Sequence, residues 1–194
     1  MTTPLLRFAG ADPDLIAASY VEVVEVDGVP VVSLVWLQKL KHPPRDRALK
    51  VVAMKDMLRC ADIGDGVTAA AVESQNVSYT GKSNAARAQD MIYLAQVAGQ
   101  LQMCMDTDSL FVPLPAEWKG SMKGKWIHQR RLMKRLGWYF EKMGGDDPYP
   151  VPLNFKELCP ASNKGDWKDI NDSLGLALYA YDTWVNEVRK RGLE

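Results

Sequence analysis

The stretch Leu5–Leu37 constrains this chain more than any other. It opens with Leu6-Arg7-Phe8-Ala9-Gly10-Ala11-Asp12, a mostly apolar run that ends on a carboxylate. Two further strand-length runs follow, Ile16–Val26 and Val29–Leu37, joined by Asp27-Gly28. Asp-Gly between two such runs predicts a tight type I′ hairpin, whose turn residues both need positive φ. Three consecutive strands, the first the least polar, predict a central strand with meander partners. Asp12 then stands at the end of the most buried strand. A carboxylate there is costly to desolvate unless a cation or donors compensate it.

Beyond the meander, His42-Pro43-Pro44 breaks the third strand, and Arg45–Ala61 reads as a helix with Leu49, Val52, Ala53, Asp56 and Met57 toward one side and Gly64 as its stop. Val67–Val72 has strand length and ends on Glu73, a second carboxylate at a strand end. After a polar loop, Asn84–Met105 is the strongest helix, with Ala88, Met91, Ile92, Ala95, Ala98 and Leu101 at helical spacing and Ser83 or Asn84 as N-cap. Ser109–Leu114 predicts a short strand and Lys119–Lys125 a basic, glycine-containing loop. Trp126–Met143 predicts a helix ended by Gly144-Gly145. Asp146–Trp167 reads as an irregular connection, and Lys168–Arg191 as a last helix burying Ile170, Leu174, Leu178, Tyr181 and Val185. Three antiparallel strands followed by alternating helices and parallel strands predict an α/β fold. It is a single domain, residues 1–194, built on a mixed five-stranded sheet with helices on both faces, the order of the RNase H-like fold.

Composition narrows the function classes. No run approaches the ~18 apolar residues of a membrane helix, and the N-terminus lacks a basic-then-apolar leader, so a soluble cytoplasmic protein is expected. Cys60, Cys104 and Cys159 are odd in number and unpaired in spacing, which argues against structural disulfides and zinc. Lys and Arg balance Asp and Glu at 24 each, so any affinity for nucleic acid must come from a local patch.

Four carboxylates are candidates for one site. If the fourth strand lies parallel beside the first, Asp12 and Glu73 reach the same edge. Asp169 and Asp172, three residues apart, share a face near the start of the last helix. A helix packed across that edge brings all four together. Each alone has an ordinary explanation: a turn aspartate before Pro13, a solvated strand end, acids favoured at a helix start. Together they cannot all stay ionised without a cation. Oxygen-only ligands select hard ions such as Mg²⁺ or Mn²⁺, and two such ions about 4 Å apart suit in-line phosphodiester hydrolysis.

Phe8-Ala9-Gly10-Ala11-Asp12-Pro13-Asp14-Leu15 with Ala18-Ser19-Tyr20-Val21 resembles the opening strand of the RuvC family of Holliday-junction resolvases, which carries Asp-Pro-Gly. Ala71-Val72-Glu73-Ser74-Gln75, the loop with Lys82-Ser83-Asn84 and the helix after it are similar to the family's second acidic motif. Asp169-Ile170-Asn171-Asp172-Ser173-Leu174-Gly175-Leu176-Ala177 resembles its terminal Asp-x-x-Asp-Ala-Leu-Ala motif. Trp118-Lys119-Gly120-Ser121 before a basic helix resembles its lysine-bearing strand end, as in phage-encoded members. The resemblance implies a metal-dependent, structure-selective endonuclease on branched DNA, active as a homodimer without organic cofactor, in a bacterial or phage-infected cell. It implies Asp12, Glu73, Asp169 and Asp172 as ligands of two Mg²⁺ or Mn²⁺ ions, and Lys119 near the scissile phosphate. Asp14 departs from the family's glycine, and Tyr79 is the nearest candidate for its junction-opening aromatic. Alternatives are a flap, fork or RNA/DNA-hybrid nuclease on the same fold, or a junction-binding protein without catalysis. An actin-like ATPase fits less well, since Asp12-Pro13-Asp14 offers no glycine-rich phosphate turn.

From Trp118 to Phe140 there is no acidic residue, while Lys119, Lys123, Lys125, Arg130, Arg131, Lys134 and Arg135 are basic, with His128 able to join them. This is either a solvated helix face or a DNA-backbone contact surface; its direct continuity with the strand nearest the acids favours the second. Lys82 and Arg87 extend that footprint. Trp126, Trp138 and Trp184 read as packing anchors rather than base-stacking platforms.

Overall fold

The computed structural model describes residues 5–74, 85–119, 125–144 and 149–191. Its centre is a five-stranded sheet: β1 (Arg7–Pro13), β2 (Ala17–Val26), β3 (Val29–Lys39), β4 (Ala69–Val72) and β5 (Leu110–Phe111), in the order β3-β2-β1-β4-β5. β1 to β3 are antiparallel neighbours, and β4 and β5 run parallel to β1. Asp27 and Gly28 take φ of 51° and 76°, so the β2–β3 hairpin has the turn its Asp-Gly calls for.

Helices cover both faces. α1 (Arg47–Arg59) and α2 (Ala85–Cys104) pack Val51, Met54, Leu58, Val97 and Leu101 against Ala9, Ala11, Tyr20, Ala70 and Val72. α6 (Trp167–Arg191) lies on the other face. There it buries Ile170, Leu174, Leu178 and Tyr181 against Phe8, Val21, Val23 and Ala69, with Val185 partly buried beside them. The alternation of β1 between these two cores, Phe8 to one side and Ala9 to the other, is the period-two pattern of a strand covered on both faces.

Several boundaries differ from expectation for local reasons. α1 starts after Asp46, whose carboxylate caps Leu49 N–H at 3.0 Å. Its buried side is Val51, Met54 and Leu58, whereas Leu49 and Val52 are exposed: the helix is turned about its axis relative to the reading from spacing. The helix expected over Trp126–Met143 stops early. α4 (Lys125–Arg135) ends in a Schellman motif: Trp138 N–H bonds the Met133 carbonyl at 2.9 Å, Gly137 N–H bonds that of Lys134 at 3.1 Å, and Gly137 has φ 67°. The chain then forms a small second sheet from β6 (Phe140–Lys142) and β7 (Pro150–Pro152). The connection read as irregular thus holds β7, a short helix α5 (Phe155–Leu158) and a 3₁₀ turn, Lys164–Asp166. Lys119 closes a one-turn helix, α3 (Pro115–Lys119), instead of a strand end: β5 stops at Phe111, and Pro115 opens the helix at its first position. No helix among the described residues is long and apolar enough to cross a membrane.

Candidate active site

The site is built from the C-terminal ends of β1 and β4 and the first turns of α6. Ala11 pairs with Val72 in the parallel register, so the next residues, Asp12 and Glu73, emerge side by side. α6 approaches because β1 carries Gly10 at the crossing. A Cβ there would lie 2.1 Å from the Ser173 carbonyl oxygen and 2.2 Å from Ala177 N, so no side chain fits. Ser173 then fixes the register of helix on sheet. Its hydroxyl accepts from Asp12 N–H at 2.9 Å, donates to the Ser19 carbonyl at 2.9 Å and lies 2.7 Å from the Ser19 hydroxyl. Ser19 also reaches the Asp169 carbonyl at 3.1 Å.

Asp172, the residue before Ser173, is thereby delivered to the two strand ends. Asp12, Glu73 and Asp172 each offer a carboxylate oxygen within 4.8 Å of the others. Glu73 and Asp172 are buried and Asp12 is half-buried. Lys119 inserts its ammonium between two of them, 3.2 Å from Glu73 Oε2 and 3.2 Å from Asp172 Oδ2, and 4.4 Å from the centre of the Trp118 ring. Asp169 stands outside this three-carboxylate group. One turn back along α6, it is displaced from Asp172 by a rise of about 4.5 Å and is itself half-buried.

Sequence reasoning missed the second contact to Asp172. Gln129, fully buried, donates from Nε2 to Asp172 Oδ1 at 2.9 Å and to the Lys168 carbonyl at 2.9 Å. The available signal was its spacing to Leu132 and Met133, which share the buried face of α4. His128, beside it, meets Trp118 edge-on at 5.3 Å. Both rings fit against α6 at Gly175, where a Cβ would lie 2.4 Å from Trp118 and 3.1 Å from His128 Nε2.

Of the basic set, Arg130 and Arg131 lie on the outer face of α4. With Trp126, Ile127 and Lys134 they line a groove of about 310 Å³, and the Arg130 guanidinium sits 5.5 Å from the Trp126 ring. Two residues leave the expected patch. His128 is buried, and that burial lowers its proton affinity against the pull of Asp172, with the Lys119 and Arg131 charges adding to the lowering. Arg135 is held by a two-pronged bond to Asp182 at 2.6 Å per arm. Tyr79, Lys82 and Lys123 lie outside the described residues, as do the side chains of Arg87 and Lys125. Asp14 is exposed in the β1–β2 turn, where its carboxylate accepts from Leu15 N–H at 2.5 Å and its own N–H bonds the Ala17 carbonyl at 3.1 Å. It takes no positive φ, so glycine is not required there.

A mixed sheet of this order, with carboxylates at the ends of its first and fourth strands and a helix crossing them, is the RNase H-like architecture. Within that architecture the chain is similar to RuvC. T. thermophilus RuvC in complex with Holliday junction substrate matches with a TM-score of 0.50, covering 89% of this chain and 90% of that one, at 17% identity. A Thermus thermophilus RuvC structure gives 0.49 over 89% and 92%, also at 17% identity. No family model matches the sequence, and no curated protein matches it. The likeness is one of fold.

Proposed function

We propose that this chain is a divalent-metal-dependent, structure-selective endonuclease that hydrolyses phosphodiester bonds in branched DNA, four-way junctions foremost. The observation that carries the reading is the convergence of Asp12, Glu73 and Asp172 within 4.8 Å, at the site of a fold shared with RuvC. An all-oxygen, multiply anionic donor set of this spacing fits Mg²⁺ or Mn²⁺. Two such ions, when bound, supply an activated water and stabilise the leaving oxygen.

The protein's own residues do the rest. Asp12, Glu73 and Asp172 would hold the cations, with Asp169, one turn back on α6, as a fourth ligand. Lys119 bridges Glu73 and Asp172 in the metal-free site and would be released toward a phosphate when cations take its place. Arg130 and Arg131, with Lys134, give the DNA backbone a cationic surface on the same helix that touches Asp172. Tyr79, Lys82, Arg87, Lys123 and Lys125 are, from the sequence alone, further candidates for contact with DNA. A C2 homodimer sets two such sites for two strands of a junction; α2 offers Ile92 and Met103, 51% and 88% exposed, as its contact face.

The test is cleavage of a four-way junction with Mg²⁺ or Mn²⁺, beside a fork, a flap and an RNA/DNA hybrid. Wild type is expected to cut the junction fastest and Asp12→Asn to cut it far more slowly. Equal behaviour of the two proteins rejects the mechanism, and faster cutting of a fork or hybrid reassigns the substrate. Sedimentation of a monomer at about micromolar concentration, with and without DNA, removes the dimer.

A further inference from the structure

We infer that Gln129 is the positioning residue of the site: it sets the orientation of the Asp172 carboxylate and ties the carboxylate group to the cationic helix. This rests on the nuclease reading for its purpose, but not for its test. Gln129 is fully buried, and its amide nitrogen spends both protons on α6, one on Asp172 Oδ1 and one on the Lys168 carbonyl, each at 2.9 Å. A carboxylate held at one oxygen by a neutral donor presents the other in a fixed direction. Here that other oxygen, Oδ2, is the one that faces Lys119. The two oxygens of Asp172 are therefore differentiated: Oδ1 by a permanent amide contact, Oδ2 by an exchangeable ammonium.

The seating of Gln129 is determined as closely. His128 and Trp118 fill the space left by Gly175, one turn after Asp172 on α6. Each is followed in sequence by a residue that touches Asp172, Gln129 after His128 and Lys119 after Trp118. One notch in α6 thus places both contacts. On its opposite side α4 carries Arg130, Arg131 and Lys134. A DNA backbone drawn to that side bears on the helix that orients the carboxylate. Groups that orient a metal ligand change metal affinity or activity by about 10–100-fold when removed.

The experiment measures Mn²⁺ binding to the metal-free full chain, by calorimetry and by electron paramagnetic resonance, for wild type, Gln129→Met and Gln129→Asn. Met keeps the volume and removes the donors; Asn keeps the amide but is too short to reach both acceptors. Leu132→Ala, a packing lesion on the same helix, serves as the stability control. Each folded Gln129 variant is expected to bind Mn²⁺ about tenfold or more weakly, with an altered resonance spectrum. Leu132→Ala is expected to melt earlier and bind as wild type does. Wild-type Mn²⁺ affinity in a folded Gln129 variant, or an equal loss in Leu132→Ala, overturns the assignment. Because binding is read without DNA, a wild type that binds Mn²⁺ and cuts no branched DNA refutes the proposed function while leaving this inference standing.

Discussion

Glu22 and Glu73 are buried to a similar degree, 4% and 8% exposed, in surroundings of opposite kind. Glu22 belongs to the network at the start of β1. Arg7 grips it with Nε and Nη2 at 2.8–3.1 Å, and the Tyr20 hydroxyl donates to it at 2.6 Å while accepting from Gly64 N–H. One carboxylate there has a guanidinium fork and a phenol of its own. Beside the other end of β1, just past β4, Glu73 is one of three carboxylates, and Lys119 is shared between it and Asp172 at 3.2 Å. The first arrangement is closed by geometry suited to a permanent bond. The second crowds like charges around a flexible point charge that can leave. Burial alone does not distinguish a structural acid from a functional one; the count of acids and the fit of their partners does.

The strongest way to break this contrast is to neutralise one acid of each kind. Asp12→Asn is expected to lower junction cleavage by about 10²–10³-fold in single-turnover assays and to leave stability unchanged or higher, since it relieves repulsion. Glu22→Gln is expected to do the reverse. It leaves Mn²⁺ affinity alone and costs about 2–3 kcal/mol in urea melts, short of the fully buried range because Arg7 is partly exposed. A ligand effect sharpens the point: Mn²⁺ at about one hundred times its dissociation constant stabilises a single-site protein by about 2.7 kcal/mol. That increment is expected in wild type and Glu22→Gln and largely absent in Asp12→Asn. Loss of the increment in Glu22→Gln instead would unite the two ends of β1 and dissolve the distinction.

The same contrast explains which parts could be read from the chain. The Asp27-Gly28 turn, the alternating strands and the carboxylates at strand ends are local signals, and they placed Asp12 beside Glu73 once a parallel β4 was expected. What escaped depends on residues far apart in sequence. Gln129 looks like an ordinary polar residue on a basic helix, and only the packing of α4 on α6 turns it inward. The rotation of α1 about its axis was hidden because Leu49 and Val52 are apolar yet face away from the sheet. Arg135 reads as one more cation of the basic helix, but Asp182, 47 residues later, holds it. Asp172 is among the three close carboxylates, and Asp169 stands one turn before it on the same helix.

Gly10 links the two ends, since it lets α6 lie on β1 between them. Gly10→Ala inserts a methyl group where the helix backbone is 2.1–2.2 Å away, so α6 must lift. The expected cost is about 1–3 kcal/mol in a melt, typical of overpacking. Cleavage should fall as well, because Asp172 and Ser173 ride on that helix. A variant that loses stability but retains wild-type cleavage would show that the site tolerates displacement of α6.

The smallest effect tests whether the Glu22 network is closed. Burial, and then the hydrogen bond to Glu22, raise the pKa of Tyr20 well above its ordinary value of 10.0. Above that ordinary value the unfolded chain releases the phenol proton while the folded chain keeps it, so the unfolded state binds fewer protons and stability falls as pH rises. Below it the contribution is complete. Tyr20→Phe removes the hydroxyl together with this dependence. It should be less stable than wild type by about 1–1.5 kcal/mol near pH 8, and the gap should narrow as the pH rises past about 10. Paired urea melts across that interval subtract the titration of every other group common to both proteins. A gap that stays constant would mean that burial and Glu22 together do not hold the phenol protonated, and Glu22 would then be less fully satisfied than the fork and phenol suggest.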